Sequence, residues 1–389
     1  MIRRSRPKYL EGVNINITMH EQEKLSNGFY FDRGSSALRF LLERLQAFYD
    51  KELTVCMQAF NCSSVMDAAL KVENLKVILS DVKLEDFSIS LEFLKENVKE
   101  IDVLLLLHYQ GKINLEYKQI IDFCKNNEII VIEDLAHIAE SGFAFKGDYG
   151  IYSYSFDKPF TCFSGGKIVF KSIQNEFLFF FEDAYRKLEL ENIKKTKLDF
   201  KMLEYFVKYT TEDLYSPRID NQQISKSLLR ILPVHFVYTL QKNRFLELSF
   251  RIFFKVLFRL FPEMFKRTYT PLRISDNKVR LIEAQRQNYF NFIKDYKKIQ
   301  DEIIDALNNK HGFAIDKDTI WNRLSFIDEN KKLQLNNIEY ANYNWSVPLN
   351  ESYKNNKDVI LIGNYDNTKF LSQNIINFPI WSKRIINII

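Results

Sequence analysis

The chain has 389 residues, 46% of them apolar and 27% charged, with a formal net charge of +5. That length buries a sizeable core and suggests two domains, or one large domain with an appendage, and the low content of Gly and Pro excludes collagen-like and disordered classes. The positive charge is spread thinly without a dense run of Lys and Arg, so no nucleic-acid partner is expected.

The opening "MIRRSRPKYLEGVNI" is basic but lacks the apolar core of a secretory signal, and no uncharged apolar run is long enough to span a bilayer. Cys56, Cys62, Cys124 and Cys162 form no C-x-x-C pair, and three of them sit in or beside apolar segments. They read as free thiols in a reducing compartment, with no disulfide frame and no metal site. A cytoplasmic protein is expected.

Next comes "FDRGSSALRFLL", which places Gly34, Ser35 and Ser36 just before an amphipathic helix. Free backbone N–H groups and hydroxyls at such a position hold a phosphate, although serine also starts many helices for structural reasons alone. From about residue 50 to 135 short β-rich runs alternate with helical ones: "LTVCMQAF" precedes "SSVMDAALKV", "KVIL" precedes "SLEFLKENVKE", and "DVLLLLHY" precedes "LEYKQIIDFCKNN". The nearly continuous apolar character of "VLLLL" and "IIVI" indicates parallel strands buried on both faces. A doubly wound α/β domain follows from that alternation.

The strand "EIIVIEDLAH" ends in Glu133 and Asp134, followed by His137. Side chains alternate along a strand, so only one of the two carboxylates need face a ligand. Two further strands, "YGIYSYSF" and "GKIVF", bracket a loop carrying Lys158, with Ser153 before it and Gly165-Gly166 after it. Ligands of such sheets lie beyond the carboxyl ends of the strands, where Asp134 and the Lys158 loop converge. A phosphate cradle, a strand-end carboxylate and a lysine on a tight loop are the parts that pyridoxal phosphate requires: one holds the phosphate, one keeps the pyridine nitrogen protonated, and one forms the Schiff base.

These motifs resemble the DegT/StrS family of sugar aminotransferases. The Gly-Thr-Ala/Ser phosphate motif of that family looks like Gly34-Ser35-Ser36, its "VIEDAAH" strand end like "VIEDLAH", its "FSFHxxK" segment like "YSYSFDK", and its "GEGG" like "FSGG". The resemblance implies a mostly parallel seven-stranded sheet with helices on both faces and a smaller C-terminal α/β domain. It also implies pyridoxal phosphate as cofactor, Lys158 as the lysine that carries it, and Asp134 as the pyridinium partner. His137 would lie beside the ring and its phenolic oxygen, and Ser153 would be a phosphate ligand. A nucleotide-linked keto sugar as substrate, glutamate as amino-acid donor, a homodimer and a role in surface-glycan biosynthesis belong to the same implication. In the related dehydratases the lysine is replaced by histidine, so the retained Lys158 favours transamination; the alternatives are a same-fold dehydratase or non-sugar aminotransferase, and a non-catalytic membrane-peripheral scaffold, against which the joint retention of Lys158 and Asp134 argues.

Two departures stand out. Cys62 occupies the place where the family stacks an aromatic ring on the cofactor, so either a softer sulfur contact replaces the ring or Phe60 turns inward. No counterpart of the "GYNYR" segment, whose asparagine reaches the partner subunit's phosphate, is found. Beyond residue 172 the periodicity predicts long helices over roughly 173–308, then a small α/β portion. The domains are placed at 1–230 and 231–389. Within "RFLELSFRIFFKVLFRLFPEMFKR" the residues Arg251, Lys255 and Arg259 recur at i, i+4 on an aromatic helix. Residues 244–267 are therefore either a packed helix with one solvated stripe or a contact with an anionic membrane surface.

Overall fold

The computed structural model describes residues 28–140, 142–155, 158–171, 175–209, 269–330, 332–333, 345–378 and 380. The predicted βαβ alternation is present. After β1 (Phe29–Phe31) and α1 (Gly34–Tyr49) come β2 (Thr54–Gln58), α2 (Ser63–Ala69), β3 (Lys76–Ser80), α3 (Leu91–Glu96), β4 (Val103–Leu107), α4 (Tyr117–Asn126) and β5 (Ile130–Asp134). Strands β6 (Tyr149–Ser153) and β7 (Gly166–Phe170) follow, then α5 (Asn175–Arg186) and α6 (Ile193–Tyr209).

Alternate residues of the central strands feed two different cores, as a period of two requires of a sheet covered on both faces. Val55, Met57, Val77, Leu79, Val103 and Leu105 pack with α1 and α2. Cys56, Ile78, Leu104 and Leu106 pack with Leu94 of α3 and with Ile120 and Cys124 of α4. Burial of each such side chain stabilises the fold by ~1.5–3 kcal/mol. That burial also pushes the thiols of Cys124 and Cys162 up to about 12, so both behave as small apolar groups. All four cysteines are free.

The sheet order is β1-β7-β6-β5-β4-β2-β3-β9, where β9 is Val359–Leu361. Among its pairings only those of β7, with β6 and β1, are antiparallel. The sheet thus has eight strands rather than seven. The additional strand comes from the C-terminal portion: Val359 pairs with Val77 and Leu361 with Leu79, which extends the parallel ladder at the β3 edge. Three residues carry too little pattern to be read as a strand from sequence.

The remainder of the C-terminal portion is the small unit expected. The 36-residue helix α7 (Asp276–His311) ends at Gly312, whose left-handed φ of 67° and N–H bond to the Asn308 carbonyl close the last turn. An antiparallel pair, β8 (Leu324–Ile327) with β10 (Ile375–Phe378), packs against it through Ile303, Ile304, Leu307, Phe326 and Phe378. Between them lie the one-turn α8 (Leu349–Ser352) and α9 (Asp366–Asn374). The helical stretch predicted over 173–308 is interrupted at its described joints, where Arg273 bridges to Phe31 and to Leu190. The domain boundary near 230 and the basic aromatic segment 244–267 lie outside the described residues. No helix among the described residues is long and apolar enough to cross a membrane.

Candidate functional site

The eight catalytic and cofactor-binding residues expected from the sequence line one cavity of about 840 Å³: Gly34, Ser35, Ser36, Cys62, Asp134, His137, Ser153 and Lys158. Its floor is apolar, made by Leu105 and Leu107 of β4 and Ile151 of β6, and it opens where the parallel strands end.

The start of α1 faces this cavity without a cap. Arg33 is the N-cap in extended conformation, its side chain makes no capping bond, and no acidic residue lies within the first turn. Ser35 and Ser36 are therefore inside the first turn and do not act as caps, which leaves N–H groups and the positive end of the helix dipole for an anion. Strand register brings the rest of the cradle into place, because Gly166 pairs with both Ser153 and Phe31. A Cβ on Gly34 would sit 3.1 Å from the Ser153 Cβ, and one on Gly166 would sit 2.5 Å from the Arg33 carbonyl and from the Gly34 nitrogen. These two glycines let three backbones converge beside the Ser153 hydroxyl. Gly166→Ala is accordingly expected to cost ~1–3 kcal/mol by overpacking against backbone and to weaken binding of a phosphate-bearing ligand. Thermal melts of the ligand-free protein and equilibrium titration measure the two effects separately.

The two carboxylates ending β5 divide as alternation requires. Glu133 points away from the cavity and is saturated: it accepts from Tyr117 Oη at 2.7 Å, from the N–H groups of Lys146 and Gly147 at 2.7 and 2.5 Å, and faces His108 Nε2 at 2.8 Å. Burial alone would raise its carboxyl, but His108 and these donors carry it below the usual range. Asp134 lines the cavity. Its Oδ1 accepts the Ala136 N–H at 3.0 Å, and burial raises its carboxyl despite that bond and the charge of Lys158. It is a carboxylate held in a place that favours a cationic partner.

His137 is buried on the same wall, and its Nδ1 accepts the Gln110 N–H at 3.2 Å. That bond assigns the hydrogen of the neutral ring to Nε2. Lys158 sits at the end of the β6 loop, its own N–H bonded to the Ser155 carbonyl at 3.1 Å. Cys62 starts α2 with Sγ 3.0 Å from Ser64 Oγ. Of the two alternatives at that position, the thiol is the one on the cavity. Phe60 is fully buried and packs on Tyr109 and Trp345, with ring centroids 5.3 and 5.1 Å away.

Several lining residues were not found from sequence: Asn61, Gln110, Lys195, Asp199, Tyr269 and Trp345. Asn61 and Gln110 each follow a strand end closely, which was a usable signal. The others arrive from α6 and from distant loops and carried none. The Asn61 amide is buried with its Nδ2 unpartnered, a donor directed to no protein acceptor. Asp32, beneath the first turn of α1, has its carboxyl raised by burial, an effect offset in part by Lys195, the Ser36 hydroxyl and Arg33.

Residues 27–178 match the model of the DegT/DnrJ/EryC1/StrS aminotransferase family. That segment contains every site residue read from the sequence, and the match bears out the resemblance. Solved structures similar to this chain include the E. coli GDP-4-keto-6-deoxy-D-mannose-3-dehydratase with bound hydrated PLP, at 15% identity over 94% of this chain and 86% of that one, with a TM-score of 0.59. A DegT DnrJ EryC1 StrS aminotransferase from Brucella abortus is similar at 14% identity over 93% and 84%, with a TM-score of 0.58. An aminotransferase from Psychrobacter cryohalolentis is similar at 13% over 93% and 85%, with a TM-score of 0.59. At these identities the likeness establishes the shared fold.

Proposed function

We propose that the protein is a pyridoxal-phosphate-dependent aminotransferase that moves an amino group from an amino acid, glutamate in the first instance, to the keto group of a nucleotide-linked sugar. The observation that carries this reading is the convergence of the uncapped α1 terminus, Asp134, Ser153 and Lys158 on one cavity. The family match over residues 27–178 and a structural relative solved with PLP support it.

The residues present suit the cofactor. The N–H groups of the first turn of α1, with the Ser35 and Ser153 hydroxyls, would hold the phosphate. Asp134 would keep the ring nitrogen protonated, and His137, with its hydrogen on Nε2, would be the donor toward the ring. When bound, the cofactor supplies an electron sink for negative charge on the carbon next to the nitrogen. Lys158 Nζ would hold the cofactor and would serve as the base that moves a proton to and from the reacting carbon. The apolar side chains of Leu105, Leu107 and Ile151 on the cavity wall would help to exclude water once the cavity is filled.

The test has two arms. Glutamate added alone to the holoprotein is expected to convert it to the pyridoxamine form, seen as loss of the long-wavelength absorption band, since the first half of a transamination needs no acceptor. Borohydride reduction of untreated holoprotein, followed by peptide mass mapping, is expected to place the pyridoxyl adduct on Lys158. An adduct on another lysine, or consumption of a keto sugar without gain of nitrogen, defeats the reading, the latter in favour of a dehydratase.

A further inference from the structure

We propose that Phe163 is a specificity-determining residue, its ring an apolar platform in the cavity against which the sugar ring of the acceptor lies. The proposal rests on the aminotransferase reading and goes on to name a residue that selects the acceptor.

The first observation is conformational. Phe163 has φ of 72°, the left-handed region that bulky L-residues avoid. Such a residue persists only where its surroundings over-determine it, and such residues cluster at functional sites. The surroundings here do so on both sides. Thr161 exchanges two hydrogen bonds with the Gln285 amide, at 2.9 and 2.8 Å, and the Cys162 N–H bonds to the Tyr154 carbonyl at 3.1 Å. The Phe163 N–H itself is taken by Thr161 Oγ1 at 3.0 Å, and the Gly165 carbonyl accepts from Tyr154 N–H at 2.9 Å. A loop fastened this firmly would accept glycine at 163 without strain.

The second observation is placement. Phe163 packs in part against the cluster containing Phe160, Cys162 and Ile274, and it lines the cavity beside Ser164, Lys195 and Asp199. Ser164 Oγ is bonded to Asp199 Oδ2 at 2.6 Å and lies 3.3 Å from Lys195 Nζ. The phosphate cradle, Asp134 and Lys158 serve the cofactor. The remaining charged residues on the cavity wall are Asp32 and Asp199 against Arg33 and Lys195, and these cancel. A balanced set of carboxylates and cations next to an aromatic face suits a neutral ring with many hydroxyls: its C–H face lies on the aromatic ring and its hydroxyls meet charged donors and acceptors.

The experiment measures equilibrium binding of GDP-, UDP- and dTDP-hexoses to the full-length holoprotein, together with melting of the variants. The sugar nucleotide that binds the wild type best is expected to bind Phe163→Ala at least tenfold more weakly, whereas Phe163→Tyr retains the affinity. In melts of the cofactor-free protein, Phe163→Gly is expected to exceed Phe163→Ala, the reverse of the order at an ordinary backbone position. Equal affinity of wild type and Phe163→Ala, no binding of any of the three sugar classes by the wild type, or an alanine variant that melts above the glycine variant each overturns the proposal. Glutamate conversion of the wild type reads the aminotransferase proposal independently, so the two fail separately.

Discussion

Asp134→Asn is expected to lower turnover by roughly 10²–10³-fold, the order of losing one fixed group aimed at developing charge, while making the cofactor-free protein more stable. The two effects have one cause. Asp134 is buried at the end of β5 with its Oδ1 bonded to the Ala136 N–H, and burial raises its carboxyl above the ordinary 3.8. The charge of Lys158 does not offset that burial, so in the cofactor-free protein the ionised group opposes folding. Because the folded-state value is the raised one, that penalty is absent below 3.8, grows as the pH rises toward the folded value, and is complete above it. The amide carries no charge, so the variant should melt higher than wild type at neutral pH and converge with it as the pH approaches 3.8. With cofactor bound the order reverses, because the carboxylate now has the ring nitrogen's proton to stabilise. Thermal melts with and without pyridoxal phosphate across that pH range measure both signs. Turnover within tenfold of wild type would show that another group holds the ring nitrogen.

The parts of this site that were legible in the sequence are those that a strand or helix end carries with it. Asp134 and Ser153 could be read because each ends a strand whose apolar run is unmistakable, and a parallel sheet fixes which end is the ligand end. Gly34-Ser35-Ser36 could be read because an amphipathic helix follows. Glu133 could be separated from Asp134 only in principle, by alternation. Its partners His108, Tyr117, Lys146 and Gly147 come from three other places in the chain. Strand β9 was invisible because three residues hold no period. Lys195 and Asp199 reach the cavity through the packing of α6 on α7, which no local pattern encodes. The left-handed backbone at Phe163 is set by hydrogen bonds to Tyr154 and Gln285, and phenylalanine is among the last residues a turn signal would suggest.

The packing of α6 on α7 supports the second large effect, at Lys278. This side chain is fully buried, with Nζ 2.8 Å from Glu191 Oε2, 2.6 Å from Asp199 Oδ2 and 3.0 Å from Ser164 Oγ. Burial alone would lower its ammonium, yet the two carboxylates carry it above 10.5, while Glu191, which burial would raise, is brought below 4.5 by Lys278 and the Ser275 N–H. Lys278→Met leaves two buried carboxylates short of their cation and is expected to cost ~3–5 kcal/mol, the usual penalty for breaking a buried pair from one side. The pH dependence should change sign as well. In the wild type the depressed Glu191 contributes stability above 4.5 that is lost as the pH falls through its folded value. In the variant Glu191 loses the cation that held it down and burial is left to raise it, so acidification relieves the strain and the urea midpoint should rise between pH 8 and pH 5. Removing a charge from each side, with Lys278→Met combined with Asp199→Leu, should recover part of the loss. A single variant as stable as wild type at pH 7 would mean that Lys195, 3.2 Å from Glu191, already neutralises the cluster. The expected outcome instead makes Lys278 the anchor that holds Ser164 and Asp199 in the cavity wall, so its loss should loosen the Phe163 loop along with the fold.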